Sequence, residues 1–153
     1  MLEVGDPAPA FALSDETGAA ISLADYAGRS LIMFFYPKAM TPGCTTEACD
    51  FRDRADSLLA ADFSVVGVSP DPIDRLARFR EKESLSYPLL SDEDHSVAAA
   101  YGAWGIKKNY GREYEGLIRS TFVIDAEGKL SRVYRNVKAT GHVARLARDL
   151  LGE

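Results

Sequence analysis

Cysteine is nearly absent from this chain: there are two in 153 residues, Cys44 and Cys49. A chain of this length can bury roughly 70% of its unfolded surface, so it can fold as one domain, 1–153, without disulfide or metal staples. Histidine is as scarce. His95 and His142 stand far apart and neither joins a cysteine at metal-ligand spacing, so no metal centre is expected. No apolar run approaches the roughly 20 residues of a membrane span. Basic residues are outnumbered 18 to 23, net charge is −5, and neither sign forms a block. Nucleic acid and anionic membrane are therefore poor partners for it. The opening Met1-Leu2-Glu3-Val4-Gly5-Asp6 lacks the basic and apolar regions of a signal peptide. A reducing, cytoplasmic setting is expected, where a cysteine pair serves catalysis more often than structure.

What is present has a clear order. Gly5-Asp6-Pro7-Ala8-Pro9 reads as extended and turn-prone. Phe11 and Leu13, then Ile21 and Leu23 after Asp15-Glu16-Thr17-Gly18, predict a short N-terminal hairpin. Leu31 to Tyr36 is apolar on both faces, as in a strand covered on both sides. From Cys44 onward, Ala48, Phe51, Ala55, Leu58 and Leu59 recur at steps of three and four, which predicts an amphipathic helix. Phe63 to Val68 is a second buried strand. Asp71 offers an N-cap and Pro72 a first helical residue, with Ile73, Leu76 and Phe79 inside. Pro88-Leu89-Leu90 is extended, and Ser91 or Asp92 caps a short helix ending near Tyr101-Gly102, with His95 a solvated helix residue.

Trp104 through Gly116 reads as a loop, rich in aromatics and charge: Trp104, Tyr110 and Tyr114 with Lys107, Lys108 and Arg112. It is either packing or a lid or docking surface for a reductant. Glu113 and Glu115 argue against nucleic acid there. Thr121–Ile124, a turn at Asp125–Gly128, and Leu130 to Tyr134 form a hairpin, and Val143, Leu146, Ala147 and Leu150 mark a final helix. The order β-α-β, helix, β-hairpin, helix is that of an α/β domain with a thioredoxin-like fold. Its central mixed sheet is flanked by helices, with an N-terminal hairpin added.

The chemistry concentrates where strand meets helix. Cys44 falls at the helix start, among unpaired N–H groups and the positive end of the macrodipole, which favour a thiolate. Thr41 can donate to or accept from a bound oxygen species. Pro42 has no N–H and fixes the loop, and Gly43 lets the backbone approach a ligand. Cys49 lies five residues on. In an intact helix such positions have Cα atoms roughly 8–9 Å apart, beyond the about 7 Å that a disulfide tolerates. Either the two never bond, or the helix start unwinds in each cycle. A first turn opens cheaply because its N–H groups lack intrahelical partners.

Pro37-Lys38-Ala39-Met40-Thr41-Pro42-Gly43-Cys44 resembles the P-x-x-x-T-x-x-C signature of peroxiredoxins. The continuation Thr45-Thr46-Glu47-Ala48-Cys49 is similar to the peroxiredoxin Q group, also called bacterioferritin comigratory protein. The resemblance extends over almost the whole chain, through Gly5–Phe11 and Arg119-Ser120-Thr121-Phe122-Val123-Ile124-Asp125. It implies Cys44 as peroxidatic nucleophile, Thr41 holding the peroxide, Pro42 shielding the pocket, Arg119 beside the sulfur, and Cys49 as resolving thiol. It further implies a thioredoxin-like fold, no cofactor, and thioredoxin or a similar dithiol protein as electron donor. The implied reaction is thiol-dependent reduction of hydrogen peroxide and organic hydroperoxides. Many members carry polar or acidic residues where Ala39-Met40 stand here, which bears on the preferred peroxide. A monomer is expected. Two other functions fit a reactive thiol: a peroxide sensor without turnover, and a thioredoxin-like protein-disulfide reductase, although the latter places its cysteines as C-x-x-C.

Overall fold

The computed structural model describes residues 1–152. Strands β1 (Ala12–Asp15) and β2 (Ala20–Ser22) form the expected hairpin, followed by a short 3-10 turn at Leu23–Tyr26. Its tight turn is held by Asp15, whose carboxylate accepts from the Thr17 hydroxyl and from the N–H groups of Thr17 and Ala19. Next come β3 (Ser30–Phe35), α1 (Pro42–Ala60), β4 (Phe63–Ser69), α2 (Ile73–Glu83), β5 (Leu89–Ser91) and α3 (Ser96–Ala100). The chain closes with β6 (Trp104–Asn109), β7 (Arg112–Leu117), β8 (Ser120–Ile124), β9 (Leu130–Tyr134) and α4 (His142–Leu151).

Seven strands make one mixed sheet in the order β2-β1-β5-β4-β3-β8-β9. The β3–β4 and β4–β5 pairs are parallel; β3–β8, β8–β9, β1–β5 and β1–β2 are antiparallel. Strand β3 sits near the middle, and its period-two alternation feeds two cores. Ile32, Phe34 and Tyr36 pack with Ala48, Phe51, Leu76, Phe79, Val143 and Leu146 on the face of α1, α2 and α4. Leu31, Met33 and Phe35 pack with Phe11, Val66, Tyr101 and Phe122 on the other. All six β3 and flanking side chains from Leu31 to Tyr36 are fully buried. Gly67, opposite Phe34, leaves no room for a side chain: a Cβ there would stand 2.9 Å from the Phe34 ring. Among the described residues, no helix is long and apolar enough to cross a membrane.

Several local expectations are corrected. Trp104–Gly116 is a β-hairpin rather than a loop, with Trp104 opposite Leu117 and Lys108 opposite Glu113. Tyr110 and Gly111 make its turn, both at positive φ (52° and 77°), the backbone that a two-residue hairpin requires. Asp71 does not cap α2. Pro72 occupies the N-cap position and the helix begins at Ile73. Leu59 is 61% exposed, because it lies one helical step past the inward-facing Leu58. His95 precedes α3 and stacks flat on Trp104, with ring centroids 3.7 Å apart. Asp92 does serve that helix start, its carboxylate accepting from the Val97 and Ala98 N–H groups.

Candidate active site

The segment leaving β3 must reverse direction within a few residues to start α1. It does so through Met40, a non-glycine residue at φ 65°, in the left-handed region that disfavours side chains. The turn is held from outside. The Asp71 carboxylate accepts from the Ala39 N–H at 2.7 Å and the Ser69 hydroxyl at 2.7 Å, and Arg75 Nη2 donates to the Ala39 carbonyl at 2.7 Å. Arg75 Nε also lies 3.2 Å from Asp71. Both polar groups of the residue before Met40 are thus clamped by a charged pair, Asp71 in the link before α2 and Arg75 in its first turn. Charge-assisted bonds of this kind are the stronger ones in folded proteins.

Thr41 is the N-cap of α1 and Pro42 its first residue, so proline's missing N–H costs nothing there. The Thr41 hydroxyl does not cap the helix; it donates to the Lys38 carbonyl at 2.8 Å. Pro42 is exposed and Thr41 and Gly43 are half-buried, while Cys44 is 1% exposed, so the sulfur lies just under the surface. Arg119, in the link between β7 and β8, reaches it across 75 positions of sequence: Nη2 stands 3.3 Å from Cys44 Sγ. The approach does not require glycine at position 43: a Cβ there would stand in ordinary contact with Arg119 Nη2 at 3.6 Å and the Ala139 side chain at 3.5 Å.

The other prong of the guanidinium, Nη1, donates to Glu47 at 2.6 Å. Glu47 is fully buried and is a site residue that pattern reading missed. A glutamate on an amphipathic helix ordinarily faces water; only the arrival of Arg119 accounts for its burial. One oxygen is satisfied and the other, Oε2, has no hydrogen-bond partner among the described residues. Burial accordingly pushes the Glu47 carboxyl up to about 7, against the pull of Arg119. Burial also works against the Arg119 charge, yet Glu47 and Cys44 outweigh it and raise its pKa.

Cys49 is brought near neither Cys44 nor Arg119. Five residues on, it points about 140° around the helix from Cys44, and its thiol stands 3.5 Å from Glu83 Oε1. Both cysteines are free. Burial, followed by Glu83 and Asp53, raises the Cys49 thiol pKa, while Arg52 lowers it.

His142, beneath the site, has Thr121 Oγ1 at 2.8 Å and the Phe51 and Tyr134 rings about it. Burial, with Arg145 and Arg119, pushes it down to about 4. The two shifted groups oppose each other. His142 gives stability present above pH 6.5 and lost as pH falls toward 4. Glu47 gives stability present below pH 4.5 and lost as pH rises through 7. Relative to the native chain, Glu47→Gln is therefore expected to lose a further ~2 kcal/mol on acidification from pH 7 to 5. Urea unfolding at the two pH values measures this, and parallel pH dependence in both proteins would remove Glu47 from the balance.

A family model described as AhpC/TSA family matches residues 4–133. A Mycobacterium tuberculosis protein named as a peroxiredoxin is 55% identical over 149 residues, covering 97% of this chain and 95% of the relative. Peroxiredoxin Bcp of Bacillus subtilis is 46% identical over 149 residues, with the same coverage. Among solved structures, the bacterioferritin comigratory protein of Xanthomonas campestris, reported with its alkyl peroxide reduction activity, superposes with a TM-score of 0.90. It is 34% identical, and the match covers 99% of this chain and 97% of that one. A thiol under a guanidinium at a helix start, on a thioredoxin-like sheet, agrees with these likenesses along the whole chain. The chain belongs to the AhpC/TSA family, among the peroxiredoxins of the Bcp and Q group, and is a thiol-dependent peroxidase.

Proposed function

We propose that Cys44 is the peroxidatic sulfur, Cys49 the resolving one, and a thioredoxin-like dithiol protein the electron donor. The observation that carries this is the 3.3 Å contact between Arg119 Nη2 and Cys44 Sγ. A fixed positive charge at a helix N-terminus stabilises a thiolate in a site closed to bulk water. The thiolate attacks the distal oxygen of ROOH, the O–O bond breaks, and RO⁻ leaves as alcohol or water after taking a proton. Arg119 faces the negative charge that grows on the oxygens, Thr41 offers its hydroxyl to the bound peroxide, and Pro42 covers the approach. Cys44 becomes a sulfenic acid, which condenses with Cys49 to release water. Exchange with a dithiol then restores both thiols.

Because the two sulfurs lie on different sides of one intact helix, condensation requires the start of α1 to open. Apolar Ala39 and half-buried Met40 beside the site favour organic hydroperoxides alongside hydrogen peroxide. The chain acts as a single domain over 1–153, a monomer, in the cytoplasm.

The test is peroxide consumption coupled to thioredoxin, with whole-protein mass tracking of the two sulfurs. Sustained turnover through a Cys44–Cys49 disulfide is expected. Oxidation by one equivalent of peroxide without turnover would instead mark a sensor, and disulfide reduction without peroxide turnover a protein reductase. Cys49→Ser is expected to leave the first oxidation unchanged and to hold Cys44 as sulfenic acid. Its mass would stay 16 Da above the thiol form until an external thiol is added, and immediate loss of that oxygen would reject Cys49 as partner.

A further inference from the structure

We propose that Glu83 is the general base of the resolving step, taking the proton from Cys49 as its sulfur attacks Cys44. The inference rests on the reading of Cys49 as resolving thiol. Glu83 is the last residue of α2, and its Oε1 is 3.5 Å from Cys49 Sγ, a donor–acceptor contact made before any rearrangement.

The surroundings hold that contact in place. Arg52, one turn along α1 from Cys49, donates through Nη1 to the Glu83 carbonyl at 2.7 Å, satisfying a group that the end of α2 leaves open. The Tyr87 hydroxyl donates to the Ala48 carbonyl at 2.7 Å, pinning the residue before Cys49. Ala48 and Phe51 are fully buried. On the Cys44 side Pro42 and Thr46 are exposed, and the buried Cys44 and Glu47 are held through one side chain, Arg119, at the helix end whose N–H groups lack intrahelical partners. Opening of α1 therefore runs from Pro42 and stops short of Ala48. Cys44 is the sulfur that travels, and Cys49 waits beside its carboxylate.

A base is needed because Cys49 is not predisposed to ionise. The groups facing it are Arg52 and Asp53 on α1, Glu83 on α2 and Tyr87 beyond it, and their balance together with burial favours the protonated thiol. In the step, the Cys49 S–H bond breaks toward Glu83, the S–S bond forms, and the Cys44 S–O bond breaks. Hydroxide leaves and is protonated to water, and Glu83 returns its proton through solvent. The Cys44 sulfur is reduced by one electron and the Cys49 sulfur oxidised by one.

Glu83→Gln separates base catalysis from electrostatics by sign. Removing a negative charge beside a thiol favours the thiolate and by itself would speed disulfide formation at pH 7. Loss of a base slows it, here by at least about tenfold. The experiment is one turnover with a single equivalent of hydrogen peroxide, quenched by alkylation and read by whole-protein mass from pH 6 to 10. Oxidation of Cys44, which Glu83 does not touch, should keep its rate. Disulfide formation should slow at pH 7 and recover toward the native rate as pH rises and hydroxide ionises the thiol. An equal or faster rate at pH 7, or a slowing that is the same at every pH, would overturn the role of Glu83. A native protein that forms no Cys44–Cys49 disulfide would instead overturn the assignment of Cys49.

Discussion

Cys44→Ser should abolish peroxide turnover, by about 10⁴-fold or more, leaving only the background reaction. The reason is specific to the atom replaced. A serine hydroxyl is almost the same size as the thiol but stays protonated beside one guanidinium, and its oxygen is a far poorer nucleophile toward an O–O bond. The fold should tolerate the change, since Arg119 Nη2, now 3.3 Å from Sγ, can donate to a hydroxyl as readily. Melting within a few degrees of the native protein, with no peroxide loss above buffer, is the expected pair of results. Measurable thioredoxin-coupled turnover would transfer the nucleophile's role elsewhere, and Cys49 would be the place to look.

The second large effect belongs to Arg119. Arg119→Ala removes the only cation in contact with Cys44 among the described residues. Alkylation of Cys44 at pH 7 should slow, because no guanidinium then faces the sulfur. Peroxidase efficiency should fall about 10²–10³-fold, because the donor facing the developing oxyanion is lost as well. The same change strands Glu47, which is fully buried and pairs with Arg119 Nη1 at 2.6 Å. Without its cation the buried carboxyl, already pushed up to about 7, takes up a proton at neutral pH, and the charge-assisted bond is lost. Arg119→Ala combined with Glu47→Gln removes the ionisable group and should regain stability above pH 7, where the carboxyl would have to ionise, without regaining activity. Arg119→Lys keeps the charge but not the fork, so it can serve Cys44 or Glu47 but not both. An alkylation profile that stays put in Arg119→Ala would take this arginine out of the chemistry.

How far the sequence reveals such a site depends on whether the deciding interactions are local. Leu31 to Tyr36 announces a central strand because both its faces are apolar, and both are fully buried. The Thr41-Pro42-Gly43-Cys44 run announces a helix start because proline and an N-cap residue act on their own neighbours. Glu47 and Asp71 stayed hidden for the opposite reason. Each looks like an ordinary helix-face or capping acid until a group 72 or 32 residues away engages it. The Trp104–Leu117 ribbon was hidden by its charge: Lys107, Lys108, Arg112, Glu113 and Glu115 mask the alternation on a hairpin wetted on much of its surface. Tyr110-Gly111 was the available signal, a glycine closing a two-residue turn between residues of similar alternation.

That ribbon carries a liability of its own. Strands β6 and β7 pair only with each other among the described residues, so each leaves an outer row of amides and carbonyls open to an incoming chain. Ile106 and Tyr110 lie bare on it. The cross-strand Lys108–Glu113 pair, at 3.5 Å, and the lysine beside it act as gatekeepers, making edge-to-edge stacking of neighbouring molecules costly in a crowded solution.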